Sequence, residues 1–170
     1  VNLNQGGSLD DFQPGLDFFK ALKDAGSLNT IDVTDATIDS GQTGVVFDWS
    51  YNQAAIKERL SKQQNVDWEV LTLPNGEVEQ YYNQAVNKDA PHPAAARLWE
   101  EYLYSPDAQN EWMRGGAIPS LLEKMKKDGT VDKDALAKLP EIKKPVTYTS
   151  KQADAMTTWL GKNWPKTIGN

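Results

Sequence analysis

The chain has 170 residues, 39% of them hydrophobic and 25% charged, with a formal net charge of −6. That length builds one sizeable core or two small ones, and the acidic balance excludes nucleic acid, whose phosphates need clustered Lys and Arg. Cysteine is absent, which excludes disulfides, thiolate metal sites and a cysteine nucleophile while leaving the compartment open.

No stretch approaches the roughly 20 apolar residues of a membrane span, and no secretion signal stands at the start. The chain opens on VNLNQGGSLDD without an initiator Met. That opening reads like the end of one element running into a loop, so Val1 is expected to lie inside a longer protein.

Asp10 to Gly26 is the first predicted helix. Leu16, Phe19 and Leu22 recur at three- and four-residue spacing, Pro14 sits near the start and Gly26 at the stop. The polar stretch after it reads as a loop or short helical turn. Gly44 to Phe47 is predicted as a strand, and Asn52 to Lys62 as an amphipathic helix with Ala55, Ile56 and Leu60 on its apolar side. Val66 to Pro74 alternates as a strand that Pro74 ends. Asn75-Gly76 signals a turn, and Val78 to Val86 reads as a further strand.

The remainder is helical. Predicted helices run from Pro93 to Tyr104, Pro106 to Arg114, Pro119 to Lys127, Lys133 to Leu139 and Ser150 to Asn163. Ser105-Pro106 has the form of an N-cap followed by proline at the first helical position. Gly115-Gly116 stops that helix, and Ser150 is the expected cap of the last one. Lys124, Lys126 and Lys127, flanked by Glu123 and Asp128, read as a solvated helix face. Few strands and many helices predict an α/β fold, helix-rich toward the C-terminus.

No catalytic signature emerges. His92, the single histidine, lies in a Pro-His-Pro turn with no nucleophile patterned beside it, so a capping or turn role outweighs a catalytic one. No carboxylates and histidines stand at metal-ligand spacing. The Gly-Gly pairs lack the Lys and Ser/Thr of a phosphate loop. No cofactor is expected.

The aromatics are more informative. Trp99, Trp112 and Trp159 fall on apolar helix faces and Trp68 on a strand, which predicts core positions. Trp164 reads as a packing anchor. Trp49 differs, because it follows a strand among polar neighbours. In open α/β sheets small molecules bind beyond the carboxyl ends of strands, and a helix N-terminus there offers free N–H groups. Asp48, Trp49, Tyr51 and Asn52 therefore form either a recognition site or the packing of a helix end; spacing leaves both open. Gln80, Tyr81, Tyr82 and Asn83 make a second aromatic–amide cluster of the same ambiguity.

The order of motifs resembles the C-terminal half of an extracytoplasmic solute-binding protein of bacterial ABC importers, in the class of polyamine, iron, phosphonate and sugar binders. The segments that carry it are GGSLDDFQPGLDFFKAL, SGQTGVVFDWSYNQA, VDWEVLTLP and NKDAPHPAAARLWEEYLYSPDAQNEWMRGGAIPS, the last being the most specific. The resemblance implies part of a two-lobed periplasmic-binding-protein fold of type 2. Residues 1–65 would belong to the second lobe, 66–76 to the return crossing and hinge, and 77–170 to the returning, mostly helical part of the first lobe.

It also implies a truncated or separately made piece, located in the periplasm or anchored at the cell surface through an N-terminus outside this chain. The role implied is non-catalytic: a monomer captures a polyamine, phosphonate or sugar-like solute and delivers it to a membrane permease. Asp48, Trp49, Tyr51 and Asn52 would supply one jaw of the cleft, and Gln80, Tyr82 and Asn83 the other. Trp49-Ser50-Tyr51 lacks the adjacent tyrosines of the iron binders. The alternative is a carbohydrate-active hydrolase or transferase using Asp48 and Glu77 around an aromatic platform.

Overall fold

The computed structural model describes residues 1–62, 66–74 and 76–169. Among these residues lie a 3-10 turn, Asn2–Gln5, and eight α-helices: α1 Gln13–Asp24, α2 Asp35–Asp39, α3 Ser50–Leu60, α4 Pro93–Leu103, α5 Pro106–Arg114, α6 Leu122–Asp128, α7 Lys133–Leu136 and α8 Ser150–Thr167. The helices fall close to their predicted places. The α5 bounds follow directly from the residues: Ser105 accepts from the amide of Ala108, Pro106 opens the helix and Gly115 closes it.

The three predicted strands are not strands. Among the described residues the sole β contact is an isolated parallel bridge between Val78 and Val146. The physical reason is that a strand exists only when its backbone groups pair with a neighbour. Residues 44–47 and 66–74 have the strand composition and no ladder. Part of their apolar surface is left in solvent, with Val45 79% and Leu71 81% exposed, while Val46, Val66, Trp68 and Val70 are half-buried. The turn expected at Asn75-Gly76 includes a residue outside those described, as does the boundary expected at residue 65.

The chain forms two compact units, interleaved in sequence. One comprises Val1–Gly44, Leu71–Gln80 and Glu141–Asn170; the other comprises Val45–Val70 and Tyr81–Pro140. Each predicted strand contains a point where the chain passes from one unit to the other: 44 to 45, 70 to 71, and 80 to 81.

In the first unit, α1 packs on the 3-10 turn and on α8. Asn2 ties the turn down. Its amide nitrogen donates to the carbonyls of Ser8 and Asp11 at 2.9 and 2.8 Å, and its oxygen accepts the Gly15 amide at 2.9 Å. Gly15 has to be glycine, since a Cβ there would stand 2.9 Å from the Asn2 Cβ. Phe12 meets Trp159 at 5.8 Å between ring centroids, and Phe19 meets Trp164 at 5.3 Å. Trp164 is thus the anchor expected. The last helix runs past its predicted end and contains Pro165, and its capping residue is Thr149 in place of Ser150.

The second unit is built on α5. Ala108, Met113, Met125 and Ala135 form its buried apolar side, joined by Leu60 of α3. Two buried amides replace a sheet as the ties between loops. The Gln109 nitrogen donates to the Leu103 carbonyl at 2.7 Å, while its oxygen accepts the Leu121 amide at 3.2 Å. The Asn110 nitrogen donates to the Thr130 carbonyl and its oxygen accepts the Asp132 amide, both at 2.9 Å.

Trp99 and Trp112 depart from the core reading, at 54% and 55% exposed. Helix α4 is amphipathic yet contains no buried residue. Its Trp99 and Tyr102 rings lie against each other at 5.5 Å. His92 occupies the N-cap position of α4 without a side-chain cap bond, and Pro93 begins the helix as predicted.

Asn110, itself buried, joins the Thr130 carbonyl to the Asp132 amide. Asn110→Ala is expected to destabilise the chain by about 1–3 kcal/mol, as a buried pair left unsatisfied costs. Ser105→Ala, which removes one half-buried cap, is expected to cost about 1 kcal/mol. Urea unfolding midpoints at constant slope measure both, and an Asn110→Ala midpoint equal to that of the unmodified chain contradicts the account.

Candidate functional site

Helix α3 starts at Ser50, two residues before its predicted start, so Tyr51 and Asn52 lie in its first turn. Trp49 is the N-cap residue, in extended backbone conformation, and makes no side-chain cap bond. The preceding residue does the work of fixing the helix entry. Asp48 Oδ1 accepts the Trp49 amide at 2.7 Å and the Asn52 side-chain amide at 3.1 Å. Its Oδ2 accepts Gln53 Nε2 at 2.9 Å.

The two aromatics around this carboxylate stack. Trp49 and Tyr51 have ring centroids 6.4 Å apart and planes 14° from parallel. The Tyr51 hydroxyl is 2.9 Å from that of Tyr82, which links the helix to the 81–83 segment. Tyr82 is otherwise 82% exposed. Five of the expected residues, Asp48, Trp49, Tyr51, Asn52 and Tyr82, are therefore brought into one connected cluster inside the second unit. Asn83 is exposed, one residue beyond Tyr82, and Gln80 is exposed in the first unit.

Three residues that sequence reasoning did not assign to the site support the cluster. Gln53 is buried and faces Asp48 with its nitrogen; its oxygen accepts the Trp68 indole N–H at 3.0 Å. Trp68 is half-buried, so its strand-core assignment becomes a side-chain contact with α3. Gly116 lies under the first turn, at positive φ, where a Cβ would approach the Tyr51 Cα to 3.3 Å and the Ala54 Cβ to 3.2 Å. The signal for Gly116 was its Gly-Gly pair. Gln53 carried none, because a glutamine at a helix position reads as surface.

The electrostatics are lopsided. Burial pushes the Asp48 carboxyl up, but the bonds from Gln53, the Trp49 amide and Asn52 together outweigh it and hold the group below the usual aspartate range. All three donors are neutral, and among the described residues no ion pair involves Asp48. A full negative charge therefore stands beside two stacked rings. The bond to Tyr82, followed by desolvation and the charges of Tyr82 and Asp48, raises the Tyr51 phenol above the usual tyrosine value. At neutral pH Tyr51 is a neutral hydrogen-bonding group.

Two other places are less suited. A cavity of about 240 Å³ is lined by Arg114, Asp132, Asp134, Ala135 and Lys138. Its guanidinium is already paired with Glu111 and Asp132, and Asp132 itself caps α7 through the amides of Asp134 and Ala135. Glu77, the second carboxylate of the hydrolase alternative, accepts the amides of Lys143 and Lys144 at 3.1 and 3.3 Å within the first unit. Among the described residues no group of three His, Asp or Glu could hold a metal ion, and no helix is long and apolar enough to cross a membrane.

The family model for bacterial extracellular solute-binding proteins matches residues 3–144 of the chain. No curated protein sequence matches it.

The low Asp48 value sets a pH dependence. A carboxyl more acidic when folded contributes stability above its unfolded value, about 3.9, and that contribution is lost as pH falls through the folded value. Asp132, lowered chiefly by the Ala135 amide and by Arg114, acts in the same sense. Asp48→Asn is expected to flatten, without abolishing, the fall in thermal stability below about pH 4. A melting-temperature profile from pH 2 to 7 tests this; identical acid limbs contradict it.

Proposed function

The chain belongs to the bacterial extracellular solute-binding proteins, and from that premise we propose that it captures a small amine-bearing solute on the Trp49–Tyr51 pair beside Asp48 and delivers it to the membrane permease of an ABC importer. The observation that carries the ligand class is the uncompensated carboxylate against stacked rings. A cation gains from both the charge and the ring faces, whereas a phosphonate would be repelled by Asp48. A sugar could stack on the rings, but it would leave the charge unanswered.

The role proposed is binding without catalysis, by a monomer, in the periplasm or at the cell surface. The cleft reading extends to Asn52, Tyr82, Asn83 and Gln80. The accompanying fold is α/β and two-lobed, with residues 1–65 in the second lobe, 66–76 as the return crossing and 77–170 in the first lobe. Support comes from the three strand-like segments, each of which carries the chain from one unit to the other. Their exposed apolar side chains fit segments meant to be paired in a sheet. Lobes defined by sheets need not follow the units that helices define here. Closure about such crossings uses the difference in affinity between open and closed states.

The exposed setting limits affinity. A cation–π contact there contributes about 0.5–1 kcal/mol and an exposed ion pair about 0.2–1, both short of the roughly 4.1 that a millimolar constant requires. Binding of 1,4-diaminobutane to this chain is therefore expected at millimolar or weaker constants. It would be seen as shifts of the Trp49 and Tyr51 resonances at fixed ionic strength. Asp48→Asn should weaken it about two- to fivefold. A neutral disaccharide and methylphosphonate are the comparison ligands, and a response to either in preference to the diamine overturns the ligand class.

A further inference from the structure

Resting on the amine-binding reading, we infer that Gln53 and Trp68 are positioning residues that hold the Asp48 carboxylate in one orientation beside Trp49 and Tyr51. The argument begins at the indole. A tryptophan N–H can donate and cannot accept. Trp68 Nε1 therefore demands the oxygen of the Gln53 amide, 3.0 Å away. An amide whose oxygen is claimed at one end presents its nitrogen at the other, and that nitrogen reaches Asp48 Oδ2 at 2.9 Å.

The relay runs in one direction, from indole to amide to carboxylate. It ends on an acceptor, which favours the ionised form of Asp48. Gln53 is buried, so a half-turn of its amide would set two donors against each other at Trp68 and two acceptors against each other at Asp48, with little water to compensate. The remaining carboxylate oxygen is held by the Trp49 amide and Asn52. With both oxygens held, the side chain loses its rotational freedom before any ligand arrives, and that ordering cost is removed from the binding step. The residues involved are four from α3's approach and first turn, Asp48, Trp49, Asn52 and Gln53, and one outside the helix, Trp68, so their spacing alone does not reveal them.

The charged neighbours do not supply an alternative explanation. On α3, Lys57 is paired with Glu69 at 3.1 Å, and Tyr51 is bonded to Tyr82. The groups facing Asp48 through hydrogen bonds are neutral.

The test uses Gln53→Met, which keeps a buried side chain of similar size without the amide, and Trp68→Phe, which keeps an aromatic ring without the donor. Carbon-detected titration of the Asp48 carboxyl and its Hα–Hβ couplings are recorded in each, with the amide spectrum away from α3 confirming the fold. In both variants Asp48 is expected to titrate at higher pH and its couplings to average over rotamers, the larger change being in Gln53→Met. Trp68→Phe decides the matter should Gln53→Met not fold.

Diamine binding is expected to weaken about twofold, within the two- to fivefold loss expected when the Asp48 charge itself is removed. An unchanged Asp48 titration and unchanged couplings in both variants overturn the inference, as does unchanged diamine binding in a chain that binds it. A silent diamine titration in the unmodified chain defeats the ligand reading instead, while shifted titration and averaged couplings still support the relay.

Discussion

A β-strand cannot be made from its own residues alone, since its backbone N–H and C=O groups all point sideways, toward one edge or the other, and must find a neighbour. That constraint organises this chain. Gly44 to Phe47 and Val66 to Pro74 carry strand-forming residues, yet the described backbone offers them no ladder, and Val45, Phe47, Leu71 and Leu73 are left exposed. Helices satisfy their backbone internally, so they form wherever periodicity and caps permit. The result is a helical structure with strand-like passages between its units.

Without a sheet, side chains take over the task of joining distant segments. Asn2 collects two carbonyls and the Gly15 amide around the start of α1. Glu77 binds two successive amides at Lys143 and Lys144 beside the single bridge. Gln109 and Asn110 each donate with one end and accept with the other, as Gln53 does. A primary amide suits this role because it is both donor and acceptor and carries no charge to desolvate. Four buried or anchoring amides thus hold what ladder bonds would hold elsewhere.

The legibility of the sequence follows the same division. Local signals were readable: Ser105 and Pro106 fixed the start of α5, and Gly115 its end, because caps act through neighbours in sequence. The Asp48–Tyr51 cluster was visible as an unusual composition after an apolar run. Properties that depend on partners far away were not readable. Trp99 and Trp112 lie on apolar helix faces, but a face is buried only if something packs on it. Proline at position 165 should have ended α8 earlier. The contact of Trp164 with Phe19 and the bond from the Ile168 amide to the Trp164 carbonyl hold the last turn in place. Gln53 was invisible for the same reason, its role being defined by Trp68.

If the cluster is the binding surface proposed for it, the division also bears on how such a surface is specific while exposed. Trp49 and Tyr51 supply area with few rotatable bonds, and their parallel planes fix the directions from which a ligand can stack. The carboxylate adds sign. An exposed charge by itself discriminates weakly, because water and salt screen it and a mobile side chain follows whatever approaches. Three neutral donors change that balance. They favour the ionised form of Asp48 without cancelling its charge, which a lysine or arginine partner would do. Holding the charge with neutral hydrogen bonds leaves its field available to a ligand, and it moves the ordering cost from binding to folding. On the proposed reading, the selectivity of the cluster thus depends on residues that need not touch the ligand.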